Sequence, residues 1–198
     1  MKKKFDKIYQ FKITLRDSKP PIWRRIQVPD TYTFWDLHIA IQDVFGWSDY
    51  HLHEFEMIHP SSKRKVKIGF PDEDFGRDIL PNWKQKIYDY FSMENKKSDY
   101  LYDFGDSWEH EITLEKILAS EKGVNYPKCV KGKRAGPPED CGGIWGYEEF
   151  LEAIKDPEHE QHNEMLEWIG GEFDSEYFDP NEITFDDPDK RLKTAFSQ

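Results

Sequence analysis

His51 and His53 are separated by one residue, Leu52. If that segment is extended, alternate side chains share a face and the two imidazoles stand side by side. A His-x-His pair on a strand is a common way to present two metal ligands. His110 lies in a second alternating segment, on the same face as Trp108, Ile112 and Leu114. Asp103 and Asp106 come just before it and offer carboxylates. His51, His53 and His110 with Asp103 or Asp106 therefore make a conceivable divalent-metal set, the equipment of a metal-dependent hydrolase. The competing reading ranks first: a histidine on an apolar face is more often a core residue bonded to backbone. On that reading no cofactor is expected, and a divalent metal is the alternative.

Other candidate groups reduce to simpler roles. Asp103-Phe-Gly-Asp106 shares three letters with a kinase motif, but the chain has no Gly-rich phosphate loop, strand Lys or His-Arg-Asp loop. It reads as a hairpin turn, with Gly105 supplying positive φ and Asp106 or Ser107 bonding nearby backbone. Cys129 and Cys141 are too far apart for a zinc-knuckle pair and read as small buried hydrophobes. His159 and His162 stand at i, i+3, not at the i, i+4 of zinc proteases, and fit a solvated helix face. Glu139 and Asp140 precede Gly142–Gly143 and a helix. They would repel an anion there, so they read as caps for the helix dipole or as receivers of a basic partner. Trp47 and Trp108 join Asp103, Asp106, His110, Glu139 and Asp140 as the candidate binding set.

Charge is unevenly placed. The net charge is −11, and from Glu139 onward there are 18 acidic residues against 4 basic ones. Such a chain gains no counterion-release affinity for nucleic acid overall. Only a local patch could bind it, built from Lys63-Arg-Lys65 with Lys67 and from Lys128 to Arg134. Such runs are more often solvated loops, so nucleic acid is the less favoured partner and a protein partner the more favoured one. The acidic tail reads first as a solvated helical surface.

The elements that must position these groups follow from periodicity. Tyr9, Phe11, Ile13 and Leu15 alternate, as do Ile22, Arg24, Ile26 and Val28 across the Asp17–Pro21 turn, which predicts a hairpin. Thr33, with Asp36 three residues on, caps a helix carrying Phe34, Leu37, His38, Ile41, Val44 and Phe45, and Gly46 ends it. Extended segments are expected at 51–58, 63–68, 100–104 and 108–116, and a short helix around Trp83–Tyr90. Residues 122–143 read as a Gly/Pro loop. Two helices follow, on Tyr147, Phe150, Leu151 and Ile154 and on His162, Met165, Leu166 and Ile169. After Gly170–Gly171 comes an acidic tail whose aromatics could dock back.

The fold class is thus α+β: a mixed, mainly antiparallel sheet with one packed helix, β-grasp-like, plus C-terminal helices. Residues 5–120 would form the sheet core and 121–198 a loop and acidic helical extension packed on the same domain. Aromatics make up 16% of the chain, enough to build a core despite 34% charged residues, because each buries roughly 150–250 Å². No apolar run reaches the roughly 20 residues of a membrane span, and no signal-peptide core follows Met1–Lys4. With only two cysteines the chain suits a reducing compartment, so a cytoplasmic location is expected.

Five segments in order carry a resemblance. They are Ile22-Trp-Arg-Arg-Ile26 with Leu37-His38, Phe45-Gly46-Trp47 and His51-Leu-His-Glu-Phe55; Tyr102-Asp-Phe-Gly-Asp-Ser-Trp-Glu-His110; Arg134-Ala-Gly-Pro-Pro-Glu-Asp-Cys-Gly-Gly143 with Gly146-Tyr147; Asp156-Pro157 to His162; and Gly170-Gly-Glu-Phe-Asp174. Together they resemble the plasmid open-reading-frame-three-like family over about residues 8–179. The resemblance implies an association with plasmids and mobile DNA, in some members as insertion-element passengers with a resolvase-type label, and no agreed activity. Recombinase catalysis needs several cationic groups around the reacting phosphate. Here the only N-terminal arginine pair, Arg24–Arg25, points to opposite faces of a strand. The expectation is a non-enzymatic binding or adaptor module with an aromatic–acidic surface. A metal-dependent hydrolase and a DNA-binding accessory protein are the alternatives.

Overall fold

A computed structural model describes residues 5–71 and 78–197; the Met1–Lys4 run lies outside them. The sheet begins with β1 (Lys7–Leu15) and β2 (Trp23–Pro29), an antiparallel hairpin in which Phe11 faces Ile26 and Ile13 faces Arg24. Tyr9, Phe11, Ile13 and Leu15 are buried, as are Ile22, Arg24, Ile26 and Val28. Helix α1 (Phe34–Phe45) follows. Its Thr33–Asp36 capping box is complete, and Gly46 closes it in the left-handed conformation at φ 81°, which a residue without Cβ adopts at little cost.

Strands β3 (His53–Ile58), β4 (Lys65–Gly69) and β5 (Ile79–Pro81) come next, then β6 (Lys97–Tyr102), β7 (Trp108–Ala119) and β8 (Lys128–Lys133). They form one eight-stranded sheet in the order β5-β4-β3-β6-β7-β1-β2-β8. Every pair is antiparallel except β4 with β5. Helices α2 (Gly143–Lys155), α3 (His162–Ile169) and α4 (Pro188–Ala195) complete the α+β architecture. Trp108, His110, Ile112 and Leu114 of β7 are buried, as their alternation requires. They join Phe34, Leu37, Ile41 and Phe55 in one core between α1 and the sheet.

Three expectations need correction. Residues 122–143 are not all loop, since β8 pairs with β2. Its lysines hide the alternation because β8 is an edge, where charged side chains guard unpaired backbone groups. The segment Trp83–Tyr90 holds only a 3-10 turn, Ile87–Asp89. In the turn after β6 it is Asp103 (φ 56°) and Ser107 (φ 55°) that take positive φ. Gly105 instead donates its N–H to Asp103 Oδ1 at 2.8 Å.

The acidic tail folds back. Asp187 caps α4 and Pro188 occupies its first turn, a position suited to proline because that N–H has no partner inside the helix. Trp35 Nε1 donates to Pro188 O at 2.9 Å, and Arg191 donates to Ser48 O at 2.9 Å. Phe173, Phe178, Ile183 and Phe185 pack on the core. Among the described residues no helix is long and apolar enough to cross a membrane.

Candidate functional site

The three candidate metal histidines do not converge. His53 sits on β3 and His110 on β7, with β6 between them. His53 is buried with its ring stacked on His38, centroids 3.4 Å apart and planes at 9°. Its Nε2 accepts from Asn82 Nδ2 at 2.7 Å. Burial, helped by His38, pushes the His53 pKa well below its usual range. His38 Nδ1 is 2.8 Å from the Tyr100 hydroxyl and Nε2 is 2.7 Å from Asp49 Oδ1. Gln42 supports both neighbours: its amide donates to the Tyr100 oxygen and its carbonyl accepts from Asp49 N.

His110 is fully buried, edge-on to Phe45 and Trp47. Its Nδ1 lies 3.0 Å from Trp108 O, which fixes the proton there, and among the described residues its Nε2 has no partner. Burial lowers its pKa to about 3. Both rings are buried in the core, His110 on the Trp108 carbonyl and His53 on the Asn82 amide.

His51 is different. It precedes β3 at the sheet's rim, about a third exposed. Its Nε2 is 2.8 Å from Asp140 Oδ1 and 3.6 Å from Asp103 Oδ2. Asp103 is held by its backbone N–H to Leu52 O at 2.9 Å and by Oδ1 to Gly105 N. Glu139 accepts from the Tyr102 hydroxyl at 2.5 Å and from Ser48 N at 2.9 Å. Asp106 accepts from Gly142 N at 3.1 Å, so it, rather than Glu139 or Asp140, serves the start of α2. Asp103 and Asp140 thus face one imidazole, with Asp106 and Glu139 on the same two segments, bonded to Gly142 N and to Tyr102 and Ser48. Among the described residues no Lys or Arg forms an ion pair with any of the four.

Trp47 and Trp108 are buried supports rather than surface groups. Trp47 donates to Pro137 O at 2.8 Å and stacks on Tyr102, tying the 137–141 loop to the sheet. Exposed aromatics among the described residues include Tyr50 (78%), Trp145 (76%) and Trp168 (46%). A signal for the last two was present. The helical stripe Tyr147, Phe150, Leu151, Ile154 leaves Trp145 off the buried face, and Met165, Leu166, Ile169 leave Trp168 off theirs.

Between α2 and α3 lies a hollow of about 270 Å³, walled by Phe150, Met165, Trp168 and Cys141, with Asp140 and Glu149 among its polar lining residues. Cys141 is no nucleophile here: burial first, then Asp106 and Asp140, push its thiol up to about 12. Cys129 is likewise pushed up to about 11 by burial. Gly146 lies under this hollow, and a Cβ there would stand 1.9 Å from Cys141 O. Gly146→Ala is therefore expected to displace the 139–141 loop and to cost about 1–3 kcal/mol, checked by urea unfolding.

A larger hollow, about 450 Å³, lies beside the start of α1. Three of its four lining carboxylates are engaged: Asp36 in the Thr33 capping box, Asp187 as the cap of α4 and Asp186 on Arg191 at 2.7 Å. The two basic runs are far apart in the sheet. One falls on β4, next to one edge, and the other on β8, the opposite edge. Lys65 pairs with Glu56, Lys67 with Glu54 and Arg134 with Glu176.

Comparison with known proteins places this geometry in a family. The plasmid pRiA4b ORF-3-like protein family matches residues 7–182. The "uncharacterized protein y4hQ" of Sinorhizobium fredii is 39% identical over 170 residues, covering 85% of this chain and 84% of that one. The crystal structure of the "protein of unknown function MM3350" from Methanosarcina mazei Go1 superposes with a TM-score of 0.87 at 51% identity. That match covers 92% of this chain and all of the other. With a match across most of its length, the chain belongs to the plasmid pRiA4b ORF-3-like family.

Proposed function

We propose that the protein is a binding module that seats a basic protein segment in the acidic–aromatic hollow between α2 and α3. The observation that carries this reading is the lining itself: Trp168, Phe150 and Met165 beside Asp140 and Glu149, with no Lys or Arg in the lining. A guanidinium or ammonium over an aromatic face gains about 0.5–2 kcal/mol, and carboxylates at the rim add charge-assisted hydrogen bonds. Trp145 is exposed on α2, as are Glu149 and Glu152, with Glu164 and Glu167 exposed on α3. Exposed tryptophans on an interface commonly act as anchors.

The test is a titration of the whole chain with a short Arg/Lys-rich peptide and with its Glu-rich counterpart, followed by tryptophan fluorescence. The basic peptide is expected to bind, more weakly as salt rises, and Trp168→Ala to weaken it by at least about tenfold. Equal response to the acidic peptide, or unchanged affinity in Trp168→Ala, would refute the reading.

A further inference from the structure

We propose that His51, Asp103 and Asp140 hold a divalent first-row metal ion. Two clusters bring an imidazole and carboxylates together: His38, Asp49 and His53, and His51, Asp103 and Asp140. Ring geometry separates them. A metal bonds an imidazole nitrogen along its lone pair, in the plane of the ring, at about 2.0–2.1 Å. The His38 and His53 rings are nearly parallel, 9° apart, with centroids 3.4 Å apart. Stacked planes of that kind offer no common in-plane point for one ion. The outward nitrogens are also taken, by Tyr100, Asp49 and Asn82. That cluster is a buried hydrogen-bond network.

The His51 cluster has the opposite character. Its Nε2 is 2.8 Å from Asp140 Oδ1 and 3.6 Å from Asp103 Oδ2. Ligand atoms around a zinc-sized ion, at about 2.0–2.2 Å each, stand roughly 3.0–3.4 Å apart, between those two values. Asp103 is 7% exposed. Its Oδ1 takes the Gly105 N–H. Among the described residues its Oδ2 accepts no hydrogen bond, and it faces His51 Nε2 beyond hydrogen-bond length. Asp103 is a nearly buried residue whose Oδ2 is directed at the cluster and, among the described residues, has no donor of its own. Glu139 and Asp106 add negative charge on the same two segments, and among the described residues neither forms an ion pair with Lys or Arg. One nitrogen and two carboxylate oxygens suit zinc or manganese rather than the all-oxygen cage of calcium. Three protein ligands on an exposed rim leave positions for water or for a partner's group.

This site does not depend on the α2–α3 hollow taking a peptide, although Asp140 borders both. The probes are Zn²⁺ and Mn²⁺ alone, titrated calorimetrically into the full, untagged chain after dialysis against a chelator. One ion per chain is expected, bound more weakly at lower pH because metal ligands must be deprotonated. His51→Gln and Asp103→Asn are each expected to weaken binding by at least about tenfold. His51 is partly exposed, and Asn tolerates the left-handed backbone at 103 and keeps the Gly105 bond, so both variants should fold. Cys141→Ser and His53→Gln should leave the affinity unchanged. No saturable binding of either ion to the wild type would overturn the proposal. So would undiminished affinity in His51→Gln or Asp103→Asn, or loss confined to Cys141→Ser. Peptide binding that persists in His51→Gln separates failure of this site from failure of the hollow.

Discussion

Arg24→Ala is expected to destabilise the fold by about 3–5 kcal/mol, lowering the midpoint of thermal unfolding by on the order of 10 °C for a chain of this size. Arg24 is 1% exposed, on the core face of β2. Among the described residues it has no carboxylate partner. Its charge is met by carbonyls instead: Nε donates to Val44 O at 2.6 Å, and Nη1 to Trp23 O and Lys133 O at 3.0 and 3.1 Å. Its plane is covered by the rings of Phe45 at 4.9 Å and Phe178 at 3.9 Å. Burial lowers its pKa to about 10, so it stays charged at neutral pH. Val44 is in the last turn of α1, where a cation also favours the helix dipole. One side chain thus joins β2, β8, the end of α1 and the returning tail. Arg24→Lys should recover little of the loss, because an ammonium lacks the planar fork and the stacking surface. Calorimetric unfolding of the two variants checks this; wild-type stability in Arg24→Ala would refute it.

The second large effect is loss of stability in mild acid. His110 titrates near 3 in the folded chain against an ordinary 6.5, and burial moves His53 in the same direction. Between those values the unfolded chain binds protons that the folded chain refuses. Stability is therefore present above about pH 6.5 and lost as pH falls, by about 1.4 kcal/mol per pH unit for His110, with His53 acting in the same direction. Asp43 works the other way. Burial raises its carboxyl to about 6, so its contribution is present in acid and lost as pH rises through 6, which partly offsets the histidines. Urea unfolding from pH 7.5 to 4.5 should show the decline. His110→Phe keeps the ring packing against Phe45 and Trp47 and removes the titrating group, so its slope should be shallower than that of the wild type. An unchanged slope would show that His110 is not held neutral.

Much of the fold was legible because its strands are half-buried and its first helix is capped. Alternation placed Phe11, Ile13, Ile112 and Leu114 on the core side, and the Thr33–Asp36 box fixed where α1 begins. The pattern failed where burial is not what holds an element. Strand β8 is a lysine-bearing edge, and α4 rests on its Asp187 cap and on contacts to Trp35, Ser48 and Phe70 rather than on an apolar stripe. At the site, residue type was informative and partnership was not. His51, Asp103 and Asp140 do gather, with Asp106 and Glu139 on the same two segments. Their union depends on the 137–141 loop meeting the turn after β6, a contact between segments more than thirty residues apart that no local spacing encodes. The His51–His53 pairing failed for a local reason. The strand starts at His53, so alternation does not extend to His51, and the chain turns it outward.

The central claim, that the α2–α3 hollow receives a basic segment, is tested most directly by hydrogen exchange of the whole chain with and without saturating Arg/Lys-rich peptide. The expected result is slower exchange confined to the stretch after Asp140, through α2, and to α3 around Met165 and Trp168. Protection appearing instead on β4 or β8, or no protection at saturation, would contradict it.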